Sequence, residues 1–263
     1  MKICHELTPQ LFSDFDGEND YDFILPRFWN NSKEYKEHYQ KSTKFKILDC
    51  GLFEGDEFTT PEFRDLINDV VPDIFIVPDV WNNSTLTLRN AKYWMNIVKK
   101  ELPDKTKGGL MVVLQGNNIG DFENLYQGCI DLGYTHFAFN FSSRAYSFMG
   151  NHPNNLVNQM LGRINIISHL KAAQYIQNTH YIHLLGASLP QEFIYYPKEW
   201  EFIKSVDTSS PIINGALGIR YNNWGLLDKP TQKMEEFFDK DLSSKISIIN
   251  YNIYIFRQFV KQK

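Results

Sequence analysis

Cysteine is scarce in this chain: three in 263 residues, at positions 4, 50 and 129, with no CxxC pair. An odd number at wide spacing excludes a disulfide framework and a cysteine-rich zinc site, and it fits a reducing cytoplasm. Long hydrophobic runs are missing as well. No apolar stretch approaches the roughly 20 residues that a membrane-spanning helix needs, and the opening MKICHELTPQ lacks the apolar centre of a signal peptide. There is no surplus of positive charge, with 27 Lys+Arg against 31 Asp+Glu and a net charge of −4. A polyanionic partner must therefore meet a local basic face, because overall attraction is absent. Neither GxGxxG nor GxxxxGK[ST] occurs, which removes the usual dinucleotide and P-loop signatures. No repeat, low-complexity run or linker divides the chain, so residues 1–263 are expected to form a single domain.

What is present is core-forming material, with 43% hydrophobic residues and 15% aromatics. Short β-branched and aromatic segments recur at Phe45–Cys50, Ile74–Asp79, Leu110–Gln115, His136–Phe141, Tyr181–Ala187 and Ile203–Asp207, as buried parallel strands should. Helix-like stretches lie between most of them. Pro61–Val70 has Thr60 as its expected cap, Ser84–Lys100 carries apolar residues at helical spacing, Asp121–Leu132 is bounded by Asp121 and Gly133, and Asn155–Ile176 follows. Strand–helix alternation means parallel strands. Polar or small residues at successive strand ends favour a (β/α)8 TIM-type barrel over a doubly wound sheet. Phe23–Leu25 and Ile212–Arg220 are expected to supply the remaining strands, and Lys245–Lys263 a closing helix or strand.

Three aspartates follow apolar strands: Asp49, Asp79 and Asp207. A carboxylate there needs a partner or a task, and capping the next helix is the ordinary explanation for one of them. Three at corresponding positions would converge on one mouth of a barrel. Several carboxylates around one pocket suit substitution at a sugar anomeric carbon: one attacks, another moves protons. Residue types alone do not separate a glycosidase from a base-exchange enzyme. His152 and His183 lack an HxH or HxxxH partner, so each is read as a hydrogen-bonded or surface histidine.

The segment Asp49-Cys50-Gly51-Leu52-Phe53 resembles the Asp-Ser-Gly-Gly-Phe signature of the tRNA-guanine transglycosylase superfamily. Further likenesses follow in the same order: Ile74–Asp79 to its strand ending in a base-recognising aspartate, Val113-Leu114-Gln115-Gly116 to Val-Gln-Gly, His183–Ala187 with Pro190-Gln191-Glu192 to Tyr-Leu-Met-Gly-Val-Gly-Thr-Pro-Glu, and Asp207–Pro211 to Asp-Cys-Val-Met-Pro. The resemblance implies that Asp207 attacks C1′ of a nucleotide and that Asp49 is the general acid/base. It implies that Asp79, Gln115 and Gly116 read guanine or a 7-deazaguanine, with backbone near Gly186 approaching the base and Phe53 and Leu185 on its two faces. Arg144, Lys204 and Arg220 are expected phosphate contacts.

The chain departs from that pattern too. After Asp207 there is no Cys or His, so the zinc subdomain of the tRNA enzymes is absent, and no metal or other cofactor is expected. Phe139–Arg144 replaces a glycine-rich segment. A short, zinc-less chain resembles the DNA-directed branch, which inserts 7-deazaguanines into viral or mobile DNA. The expected partners are therefore nucleic acid, DNA before tRNA, and a free 7-deazaguanine base. A cytoplasmic setting follows, the host's if the protein is virus-encoded, with a homo-oligomer or partner protein left open. Rival readings are a tRNA-guanine transglycosylase proper, a barrel glycoside or nucleoside hydrolase using Asp49 and Asp207, and a non-catalytic partner subunit.

Overall fold

The computed structural model describes residues 1–56, 58–101, 109–226 and 228–262. Eight strands alternate with helices along the chain: β1 (Lys2–His5), α1 (Phe12–Phe15), β2 (Asp22–Ile24), α2 (Pro26–Asn31), α3 (Lys33–Lys41) and β3 (Lys46–Leu48). Then come α4 (Thr60–Val70), β4 (Ile74–Ile76), α5 (Ser84–Glu101), β5 (Gly109–Val113), α6 (Ile119–Leu132) and β6 (His136–Phe139). The last are α7 (Arg144–Gly150), α8 (Asn155–Ala172), β7 (Tyr181–Leu184), β8 (Ile203–Thr208), α9 (Ser210–Ala216) and α10 (Ile246–Gln262). The strands form one sheet in the order β1-β8-β7-β6-β5-β4-β3-β2, and the registered pairs are parallel. This is the (β/α)8 TIM-type α/β fold. β2 and β4 are buried at every position, as expected of parallel strands covered on both faces.

The contacts divide the chain into two compact units, one of Tyr21–Phe139 with Thr179–Tyr181, the other of Met1–Asp20, Asn140–Asn178 and Ile182–Lys263. In the first, β2 to β6 pair in chain order. Its core includes Phe63, Phe75 and Trp94 in edge-on contact, ring centroids 5.3–6.0 Å apart. The helix caps differ from the expected ones by one to three residues. α4 is capped by Thr59 rather than Thr60: Thr59 exchanges hydrogen bonds with Glu62 in a capping box, which leaves Thr60 and Pro61 as the first helical residues. α6 is capped by Asn118, whose Oδ1 accepts from the Asp121 amide at 3.1 Å. Asp121 instead accepts from the Asn117 amide at 2.8 Å. Gly133 ends α6 with φ +93°, as the sequence indicated.

In the second unit β8 lies between β1 and β7. The register Lys2↔Ser205 to His5↔Thr208 gives β8 a neighbour that the sequence reading missed, because KICH is too short and mixed to stand out. The expected strand in Ile212–Arg220 does not form. Pro211 occupies the first turn of α9, and the residues Ser210–Ala216 are all buried as a helix. The tail is the helix α10, whose Phe256 meets Phe193 and His5 edge-on. α8 stops at Ala172, short of Ile176, where Gln174 takes φ +64°. α7 and α8 approach closely at Gly162, where a Cβ would lie 2.5 Å from the Tyr146 Cα.

Candidate active site

In the first unit, four of the singled-out residues sit one to three positions beyond strand C-termini. Asp49 follows β3, Asp79 lies beyond β4, and Gln115 and Gly116 beyond β5. Asp79 and Gln115 are brought into direct contact: Gln115 Nε2 donates to Asp79 Oδ2 at 2.6 Å. The other oxygen of Asp79 accepts from the Cys50 thiol at 3.3 Å. Gln115 Oε1 accepts from the Asn82 amide at 3.0 Å, which fixes which way the carboxamide faces. Burial pushes the Asp79 carboxyl up to about 6, against the lowering pull of Gln115 and Cys50. Burial, with the charges of Asp79 and Asp49, keeps the Cys50 thiol protonated, so it serves as a donor. Asp49, 8% exposed, accepts from the Gly51 amide at 3.1 Å. Gly51 must be glycine, since φ is +79° and a Cβ would lie 2.7 Å from Asp56 Oδ2. Gly116 has no room for a Cβ either, with Asp121 Cβ at 2.7 Å. Phe53 stands in the loop after β3 with 64% of its surface exposed, so it is no core residue.

In the second unit, Asp207 is the penultimate residue of β8 and is 2% exposed. Both its oxygens face the Gly186 amide, at 3.2 and 3.1 Å, and Oδ1 also meets His183 Nε2 at 3.0 Å. His183 Nδ1 lies 2.7 Å from Ser205 Oγ. The alternation of a strand explains the grouping: Ser205 and Asp207 share one face of β8, and His183 is paired with Ser205 from β7. In the tautomer that pairs with an ionised carboxylate, which only accepts, His183 Nε2 is the donor of this contact. Leu185 and Gly186 are half-buried just past β7, and Gly186 holds φ +62°.

Behind this turn lies a fully buried ion pair. Arg163 Nε and Nη2 donate to the two oxygens of Glu192 at 2.8 and 2.5 Å, Tyr196 also donates to Glu192, and Arg163 Nη1 donates to the Leu185 carbonyl at 2.8 Å. The Arg163 guanidinium also lies 5.0 Å from the Phe141 ring centroid.

The three basic candidates lie on separate elements of the second unit. Lys204 is the second residue of β8, three before Asp207 and so toward the opposite end of that strand. Arg144 opens α7 and is exposed. Arg220 is exposed after α9 with its guanidinium 3.7 Å over the Tyr251 ring. Of the two histidines, His152 is exposed and accepts from the Asn154 amide at Nδ1, while His183 is buried and hydrogen-bonded. Sequence reasoning passed over Cys50, Arg163 and the partnership of His183 with Asp207. The spacing of Ser205 and Asp207 was the one available signal for the last. Among the described residues no group of three or more His, Cys, Asp or Glu side chains is arranged to hold a metal ion, and no helix is long and apolar enough to cross a membrane. Compared with models of known families and with curated proteins, the chain finds no match.

Proposed function

We propose that this protein is a base-exchange glycosyltransferase that replaces guanine in a nucleic acid, DNA in preference to tRNA, with a 7-deazaguanine derivative. Asp207 attacks C1′ of the target nucleotide, the C1′–N9 bond breaks with its electron pair going to the base, and Asp49 supplies the proton to the departing guanine. In the second half Asp49 takes the proton from the incoming base, which attacks C1′ and releases the Asp207 carboxylate. Asp79 and Gln115 read the hydrogen-bonding edge of the base. DNA is preferred because the chain lacks the Cys and His ligands with which the tRNA enzymes build their zinc subdomain.

The observation that carries this reading is the seating of Asp207. A carboxylate this buried is costly unless its charge is met by hydrogen bonds. The Gly186 amide and His183 meet it at the C-terminal end of a strand, which is where barrel enzymes do chemistry. Within the first unit, Asp79 with Gln115 and Cys50 fixed on its two oxygens forms a buried polar edge of the kind that selects a heterocycle.

The test is incubation with labelled guanine and either DNA or tRNA, together with a denaturing gel for a covalent adduct in the absence of acceptor base. Label entering DNA, and a denaturation-resistant band lost in Asp207→Asn, is the expected result. A wild-type band or exchange rate in Asp207→Asn overturns the mechanism. Hydrolysis of free nucleosides without any polymer would favour the hydrolase instead.

A further inference from the structure

One peptide unit in the second unit of the fold is gripped from both sides. Its carbonyl, that of Leu185, accepts from Arg163 Nη1 at 2.8 Å, and its N–H, that of Gly186, points at both oxygens of Asp207 at 3.1 and 3.2 Å. A guanidinium on the carbonyl oxygen polarises the amide and strengthens its N–H as a donor, so the two hydrogen bonds reinforce each other. Gly186 takes φ +62°, a left-handed turn just past the end of β7. Arg163 adds a side-chain hold on this peptide to the backbone bond that the next residue, Ala187, donates to the Asp207 carbonyl at 3.1 Å. Arg163 is itself immobile: it is fully buried, doubly bonded to Glu192, and Glu192 is bonded again by Tyr196. Buried Arg–Glu pairs contribute little net stability, because desolvation offsets most of their attraction. Stability alone is therefore a poor reason to keep one here.

We propose that Arg163 is a positioning residue for Asp207, acting through the Leu185–Gly186 peptide. The inference deepens the exchange reaction proposed above and rests on it only for its kinetic readout. Arg163 fixes the rotation of the peptide, the Gly186 N–H fixes the carboxylate, and the attacking oxygen of Asp207 is aimed at C1′.

Two variants separate positioning from structural support. Arg163→Met combined with Glu192→Leu replaces the pair by apolar groups of similar volume and removes the hydrogen bond to Leu185. Glu192→Gln leaves Arg163 on the Leu185 carbonyl and weakens only the ion pair. The double variant is expected to keep the wild-type melting temperature within a few degrees, to keep KM, and to lose about a hundredfold in kcat, the scale of a 1 Å misplacement. Glu192→Gln is expected to melt earlier and keep kcat within about threefold, a scale on which the aim of Asp207 is unchanged. Hydrogen exchange at the Gly186 amide supplies a readout independent of activity, with protection about tenfold lower in the double variant, as loss of a charge-assisted contact implies. If wild-type protein shows no base exchange but Gly186 protection falls as stated, the proposed reaction fails and the positioning holds. Unchanged Gly186 protection in a folded double variant overturns the positioning, and so does unchanged kcat where the wild type is active.

Discussion

Gln115 donates from Nε2 to Oδ2 of Asp79 at 2.6 Å, joining a carboxamide and a carboxylate that stand 36 positions apart beyond neighbouring strands. The pair is preset, because the Asn82 amide holds Gln115 Oε1 and the Cys50 thiol holds Asp79 Oδ1. Such a pair offers one fixed edge to a ligand without reorganisation, which is the condition for strong selection by hydrogen bonds.

Asp79→Ala removes that edge and leaves Gln115 and Cys50 without their acceptor. Each buried group left unsatisfied costs about 1–3 kcal/mol, so base exchange should fall by well over tenfold. Steady-state incorporation of labelled guanine measures this, and unchanged incorporation would return Asp79 to a structural role.

Asp79 also makes a pH prediction. Burial raises its carboxyl from 3.8 to about 6, so the folded protein binds more protons than the unfolded chain between those values. Its contribution to stability is therefore fully present below about pH 4 and is lost as pH rises through about 6. Asp79→Asn, which keeps an acceptor for Gln115, should remove this contribution. The melting temperature of the variant relative to wild type should climb from pH 4 to pH 7. A flat difference would mean that Asp79 is better solvated than its surroundings imply.

His5 works in the opposite sense. Burial, helped by the charge of Arg257, lowers its pKa from 6.5 to about 3, and among the described residues neither ring nitrogen has a hydrogen-bond partner. Its neutral form is the one that fits, so the stability tied to it is present above about pH 6.5 and is lost as pH falls toward 3. His5→Leu cannot be protonated and should flatten the acid limb of the stability curve. The gain over wild type, followed by chemical denaturation, should widen from pH 6.5 downward.

Glycine tests the packing of the helices. Gly162→Ala would place a methyl 2.5 Å from the Tyr146 Cα, and backbone cannot yield as a side chain would. The expected loss is about 1–3 kcal/mol, the range of overpacked cores. Gly17→Ala, with no atom of the described residues within 4 Å of the new methyl, is the matched control and should change stability by less than about 0.5 kcal/mol. Equal effects at both positions would show that α7 and α8 are free to separate.

The sequence by itself determined the strand–helix alternation, hence the parallel sheet and the (β/α)8 class, because buried strands and amphipathic helices leave local signatures of composition and period. It also located Asp49, Asp79, Gln115 and Asp207 beside strand C-termini, since the apolar runs end there. The strand β1, by contrast, carries almost no local signal in KICH, and its pairing with β8 is a contact across some 200 positions. The fate of Ile212–Arg220 was equally hidden: an apolar run reads as strand or helix alike, and Pro211 with its tertiary surroundings decided for α9. The partners of these carboxylates belong to the same class of hidden facts. That Cys50 donates to Asp79, that His183 rather than a basic side chain meets Asp207, and that Arg163 from a distant helix holds the Leu185 carbonyl all depend on three-dimensional proximity. A hydrogen bond is fixed by distance and angle between side chains, and residue type and spacing along the chain specify neither.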